Sequence, residues 1–182
     1  QGLKPEDIDI VLCTHLHADH VGWNTKLENG IWVPTFPNAK YVVSEQAWQR
    51  ACSPHLRDRA SFIPGLSDKL QASDRLFILP ENMSFVPDLW ESELSILYSH
   101  GHTPGQLHVC IDKTIFCGDL IPGRPWVHLP ITMGYDRCAE QLIDEKRQFY
   151  KQIEGWRLFF CHDPEVAFAV LHFDGKRYIS KV

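Results

Sequence analysis

Thr14-His15-Leu16-His17-Ala18-Asp19-His20 crowds three imidazoles and a carboxylate into one short stretch, directly after the apolar run Ile8 to Cys13. Imidazoles packed this closely repel one another whenever they protonate. A metal ion removes the conflict, because it binds the neutral ring and the ionised carboxylate. The competing reading is a solvated histidine-rich turn. In extended backbone alternate side chains share a side, so His15 and His17 can meet one ion. Asp19 and His20 begin a turn that enters a helix and could face a second ion.

Three further stretches carry the same kind of chemistry at strand ends. Ser99-His100-Gly101-His102-Thr103-Pro104-Gly105 is a tight turn in which Gly and Pro present His102 from a rigid loop. Phe116-Cys117-Gly118-Asp119 is an apolar strand closing on a carboxylate. Leu158-Phe159-Phe160-Cys161-His162-Asp163-Pro164 is another, closing on His162. Singly, each reads as a cap or a hydrogen-bonded turn. In this order behind the opening motif they read as one ligand set. His100 is read as a turn residue or a hydrogen-bonding neighbour of the site, and Asp163 as orienting the last loop or bonding to His162. His55, His108, His128 and His172 are read as surface or packing residues. Trp23, Phe36, Phe85 and Trp126 could wall an apolar pocket or simply fill cores. No G-x-S-x-G nucleophile motif is present.

The elements that must position these residues follow from pattern. Lys4 to Asp7 is a helical turn opened by Pro5. Ile8 to Cys13 is a buried strand. Trp23 to Thr25 and Gly30 to Pro37 are read as aromatic loop, and Ala39 to Val43 as a strand. Ser44 is an N-cap for a helix to about Cys52. Ser53 to Asp74, rich in Pro, Gly and Ser, is read as short helices and loops, and residues 44–92 as a cap-like insertion within a single domain, 1–182. Arg75 to Leu79 and Leu94 to Ser99 are strands, with Asn82 to Trp90 irregular between them. Leu107–Ile111 and Thr114–Cys117 form a hairpin around Asp112-Lys113. Pro122 to Pro130 is a Pro-rich loop. Asp136 to Ile153 is an amphipathic helix with Leu142, Ile143, Phe149, Tyr150 and Ile153 inward and Glu140, Asp144, Lys146 and Lys151 elsewhere. Arg157 to Cys161 is a strand. Val166–Phe173 and Lys176–Ile179 are a last hairpin turned at Asp174-Gly175. The alternation of strands, helices and polar loops predicts an α/β domain with its chemistry on loops at one end of the strands.

The chain has 182 residues, 44% hydrophobic and 23% charged, enough for a substantial core. Its formal net charge of −5 and the lack of a basic cluster argue against a nucleic-acid partner. A pair of divalent cations would offset most of that acidity. No run approaches the ~18 apolar residues of a membrane span. Six cysteines occur without a C-x-x-C pair and do not suggest a disulfide framework. Cys13, Cys117 and Cys161 near strand ends are read as small buried hydrophobes, ahead of reactive or metal-bound thiols. Reduced cysteines suit a cytoplasmic location.

T-H-L-H-A-D-H, G-H-T-P-G, G-D and a terminal histidine behind an apolar strand, spanning residues 14–162, together resemble the metallo-β-lactamase superfamily. The resemblance implies a four-layer αββα sandwich built from two halves. It implies that His15, His17 and His102 hold one metal, that Asp19, His20 and His162 hold a second, and that Asp119 bridges both. The implied cofactors are two divalent ions, zinc first, with iron, manganese or cobalt as alternatives, activating a bridging hydroxide. His17 stands where redox relatives carry Glu, which favours hydrolysis. Asp19 and Tyr135 are the residues assigned to catalysis, Tyr135 as a donor to a developing oxyanion of the kind some lactonases of the superfamily use; a core tyrosine is the alternative.

Asp19 to Asn24, Thr35 to Ala39 and Gly118 to Pro122 resemble the branch of quorum-quenching lactonases and methyl-parathion-hydrolase-like enzymes. This implies hydrolysis of a small-molecule lactone or related ester. Organophosphate triesters and glyoxalase-II-like thioesters are the alternatives, with a homodimer as an option. Only 14 residues precede His15, where the family lays down several strands first. The expectation is therefore an N-terminally incomplete domain. A truncated metal-binding fragment without turnover is the non-enzymatic alternative.

Overall fold

Apolar β-branched runs build a parallel sheet at the start of the chain. In chain order the elements are β1 (Ile10–Leu12), α1 (Ala18–Val21), β2 (Thr25–Glu28), β3 (Ile31–Pro34), β4 (Lys40–Ser44), α2 (Glu45–Cys52), α3 (Leu66–Ala72) and β5 (Leu76–Leu79). The strand order is β1-β4-β5, all parallel, with Val11 opposite Tyr41 and Val42 opposite Phe77. Tyr41, Val42 and Val43 on the central strand are buried, as a parallel strand covered on both faces requires. Ser44 ends β4 and caps α2, its Oγ accepting from the Ala47 amide at 3.2 Å. Trp48 of α2 and Leu66 and Leu70 of α3 join Cys13, Leu16, Val21 and Tyr41 in one core, with Phe36 packed against it.

This computed structural model describes residues 2–80, 83 and 94–182. The chain divides into two compact units, Gln1–Glu81 and Asn82–Val182. The cap-like insertion expected over 44–92 runs from the first unit into residues outside the described set. Apart from Met83, the irregular stretch expected at Asn82 to Trp90, Phe85 included, also lies outside it.

The second unit holds β6 (Ser95–Ser99), β7 (Gln106–Ile111), β8 (Thr114–Phe116), α4 (Ala139–Ile153), β9 (Arg157–Phe159), β10 (Phe168–Phe173) and β11 (Tyr178–Lys181). Its six-stranded sheet has the order β11-β10-β9-β8-β7-β6. Only the β8–β9 pair is parallel, because α4 forms the crossover between them. Cys110, Ile115, Cys117, Leu158, Ala169 and Leu171 from the strands pack with Leu142, Phe149, Tyr150 and Ile153 of α4. Burying these four helix side chains is worth about 2 kcal/mol each. On the other face Phe116, Phe159 and Phe168 lie in register across three strands and stay partly exposed. No described helix is long and apolar enough to cross a membrane.

Three expectations need correction. Gly30 to Pro37, read as loop, contains β3, paired antiparallel with β2. Asn29 and Gly30 turn this hairpin with φ of 50° and 82°, the backbone an Asn-Gly two-residue turn demands. Its Leu27, Ile31 and Trp32 are exposed, so no apolar–polar alternation marks the strands. Helix α4 starts at Ala139 instead of Asp136, because the Asp136 side chain is engaged elsewhere. Lys146, assigned to the polar side of the helix, is fully buried. Its ammonium donates to the carbonyls of Trp126, His128 and Ile131 at 2.7, 3.0 and 2.9 Å. Burial lowers its pKa to about 8, so at neutral pH it keeps the three protons those bonds use. Tyr150 adds a bond to the Val127 carbonyl at 2.8 Å. The Pro-rich loop is thus held from inside by α4.

His108 is buried, bonded to Ser99 Oγ at 2.8 Å and edge-on to Phe149, the packing role expected of it. Burial lowers its pKa from 6.5 to about 4. Between those values the unfolded chain binds a proton that the folded one does not. Stability is therefore complete above about pH 6.5 and falls as pH drops toward 4, by up to about 3 kcal/mol from this ring. Denaturant unfolding at neutral and at mildly acidic pH should show a smaller acid-induced loss in His108→Gln than in the wild type. Equal losses would assign the acid sensitivity to other groups.

Candidate metal centre

In the first unit the opening motif leaves β1 as a pinned extended segment. The Cys13 amide donates to the Val42 carbonyl at 2.9 Å, and Asn24 Nδ2 donates to Cys13 Sγ at 3.2 Å. Leu16 points into the core, which leaves His15 and His17 on the opposite side, as alternation dictates. Both are buried, with ring centroids 4.5 Å apart and ring nitrogens within 4.8 Å of each other. His17 stands at the N-cap of α1 and its carbonyl accepts from the His20 amide at 3.1 Å. That turn brings the His20 ring to 4.1 Å from His15, centroid to centroid. Asp19, largely exposed, approaches His20 Nε2 at 3.5 Å. All four motif residues therefore lie together in this unit.

In the second unit the G-H-T-P-G turn is gripped by α4 and the residues before it. Glu145 accepts the amides of His100 and Gly101 at 2.8 and 2.9 Å. The Gly101 carbonyl accepts from the Cys138 amide at 2.8 Å, and that of His102 from the Arg137 amide at 3.1 Å. The approach is so close that a side chain at Gly101 would sit 2.4 Å from the Leu142 backbone nitrogen. His100 Nδ1 accepts from the Gly105 amide at 3.1 Å, the turn role expected of it.

His102 is buried between two buried carboxylates. Its Nδ1 bonds Asp136 Oδ1 at 2.9 Å, and its Nε2 faces Asp119 Oδ2 at 3.4 Å. In the neutral ring the Nδ1 proton goes to Asp136, so Nε2 turns a lone pair toward a carboxylate oxygen. Two acceptors facing each other suit a cation between them. His162 Nε2 faces the other oxygen, Asp119 Oδ1, also at 3.4 Å. Imidazole nitrogen and carboxylate oxygen are donors that fit zinc and its divalent neighbours. The residues present in each unit thus fit a divalent metal.

Asp163 does not bond His162. It accepts from the Arg124 amide and guanidinium at 2.9 and 3.2 Å and from the amides of Glu165 and Val166. These donors hold its carboxyl well below the usual range, and it orients the last loop. Tyr135 is 78% exposed, which removes the core reading and leaves its hydroxyl open to a ligand. Trp23 is 84% exposed and so fills no core. Trp126 packs against the second core. Cys161 is exposed, unlike Cys13 and Cys117, because β9 ends at Phe159. Sequence reasoning missed Asp136 and Glu145 as supports of the turn. Their partners lie 34 and about 45 residues away, and no local motif marks them.

The family model described as the metallo-beta-lactamase superfamily matches residues 1–164. The chain is 25% identical over 166 residues to hydroxyacylglutathione hydrolase 2 of Vibrio vulnificus, an alignment covering 90% of this chain and 52% of that protein. It spans about half the length of the curated relatives it matches. Among solved structures, a probable metal-dependent hydrolase from Staphylococcus aureus superposes with a TM-score of 0.81 at 24% identity, covering all of this chain and 64% of the other. AidC, a dizinc quorum-quenching lactonase solved with a product N-acyl homoserine, superposes at 0.76 with 20% identity, covering 98% and 65%. The fold is the mixed α/β metallo-beta-lactamase fold.

Gly101→Ala should force α4 off the turn, lowering stability by about 2 kcal/mol and reducing bound metal, read by thermal unfolding and elemental analysis. Gly134→Ala, where a side chain would meet nothing within 4 Å, is the matched control and should change neither. Asp136→Asn should weaken metal binding by roughly tenfold or more in a chelator competition, with the fold intact by circular dichroism. Unchanged affinity would show that Asp136 does not orient His102 for a metal.

Proposed function

This chain belongs to the metallo-beta-lactamase superfamily, and from that premise we propose that it is a metal-dependent hydrolase acting on a lactone or related small ester. His15, His17, Asp19 and His20 from the first unit and His102, Asp119 and His162 from the second would hold two divalent ions, most naturally zinc. The observation that carries the reading is His102, fixed through Asp136 with its second nitrogen aimed at buried Asp119. Such a support suits a metal ligand and has no obvious use in a packed core.

Bound divalent ions supply Lewis acidity and a water acidic enough to attack near neutral pH. The chain's own residues then divide the remaining work. Asp136 and Glu145 keep His102 and its turn in place. Exposed Tyr135 donates a hydrogen bond to the acyl oxygen as it gains charge. Asp19, next to His20, accepts the proton that water loses. Ester and water give a carboxylic acid and an alcohol, and no serine or cysteine acyl-enzyme is needed.

Likeness in fold to a lactonase with bound product supports the lactone reading. A thioester is the second reading, favoured by similarity to hydroxyacylglutathione hydrolases. Elemental analysis should find divalent metal in the wild type and much less in Asp119→Ala. A panel of acyl lactones, aryl esters, phosphotriesters and glutathione thioesters should show the highest kcat/KM on a lactone. Preference for a thioester over every lactone would replace the first reading with the second. A folded wild type with only trace metal would overturn both.

A further inference from the structure

We propose that Cys161 is itself a metal ligand, its thiolate joining Asp119 and His162 on one divalent ion. The inference rests on the reading of the chain as a metal-binding protein and adds a sulfur donor to the nitrogen and oxygen ligands named above. Cys161 Sγ lies 3.4 Å from Asp119 Oδ1 and 3.4 Å from the Gly118 carbonyl oxygen. His162 Nε2 lies 3.4 Å from the same Asp119 oxygen. The three ligand atoms are all within 4.8 Å of one another, so three donor types converge inside the second unit.

The backbone on both sides of Cys161 is pinned. The Phe160 amide donates to the Ala167 carbonyl at 2.8 Å, and the His162 amide to the Pro122 carbonyl at 2.9 Å. The sulfur is therefore presented from a fixed turn. It also differs from Cys13, Cys110 and Cys117, which are enclosed among apolar side chains and behave as small hydrophobes. Cys161 is exposed, so an incoming ion can reach it. On coordination the S–H bond gives way to a sulfur–metal bond and the proton leaves to solvent. A soft sulfur donor beside imidazole and carboxylate would tilt the site toward zinc and away from manganese or magnesium.

Cobalt(II) tests this directly, because a thiolate bound to cobalt gives a near-ultraviolet charge-transfer band that nitrogen and oxygen ligands do not. The full chain would be loaded with cobalt alone, its content measured, and spectra recorded for the wild type, Cys161→Ser and Cys52→Ser, with circular dichroism as the check on folding. The expected result is a band in the wild type and in Cys52→Ser that a folded Cys161→Ser protein lacks. Cobalt bound without the band, or a band that survives Cys161→Ser, would overturn the proposal while leaving the metal-binding reading intact. In that case the thiol only donates a hydrogen bond to Asp119. A folded wild type that binds neither cobalt nor zinc would overturn both.

Discussion

The second unit is organised around a buried imidazole between two buried carboxylates. His102, Asp119 and Asp136 are each 6% exposed or less, and desolvating carboxylates costs several kcal/mol each unless they are compensated. The Asp136–His102 bond compensates one. It also holds the ring so that the other nitrogen faces Asp119. Around Asp119 stand the His102 and His162 imidazoles and the Cys161 thiol, each 3.4 Å from one of its oxygens. These are donor types that a divalent metal could share.

Holding three such groups requires a rigid frame, and α4 supplies it. One face of the helix buries Leu142, Phe149, Tyr150 and Ile153 against the sheet. Its first half reaches up to the G-H-T-P-G turn through Glu145, and its middle reaches down to the Pro-rich loop through Lys146. That loop runs between Asp119 and Asp136. The helix therefore anchors the turn carrying His102 and the segment joining the two carboxylates that flank it. Gly101 belongs to the same constraint: only a residue without a side chain lets the turn approach the helix backbone so closely.

What could be read from the sequence follows from how far apart the interacting residues lie along the chain. The clustering of the candidate ligands is legible because each motif is local: His15 and His17 share a side through strand alternation, and His102 and Asp119 sit at strand ends next to Gly. The Ser44 cap and the Asp112-Lys113 hairpin were legible for the same reason. Asp136, Glu145 and Lys146 were not, because their meaning lies in partners 15 to 45 residues away. Lys146 was misassigned because a periodicity argument puts charges outside, and three carbonyls of an irregular loop can reverse that. The β2–β3 hairpin was missed for the opposite reason. Its Asn29-Gly30 turn is a strong local signal, but Pro34 and the exposed Ile31 and Trp32 obscured the strand pattern around it.

The positions fixed most firmly are those that would hold metal, and the positions left open are those that could touch a substrate. His15, His17, His102 and Asp119 are buried and sit on backbone pinned by neighbouring hydrogen bonds. Trp23 and Tyr135 lie a few residues from such ligands or their supports, yet are 84% and 78% exposed. Each is bounded by a constrained neighbour: Asn24 bonds Cys13, and Asp136 bonds His102. A side chain placed this way can change identity without disturbing the ligand frame, since its own packing contributes little to stability. The fold thus separates buried candidate ligands from exposed side chains near them. Under the proposed function, the choice among lactone, ester and thioester would rest on such exposed residues, since function lives in sites that a shared fold leaves free to vary.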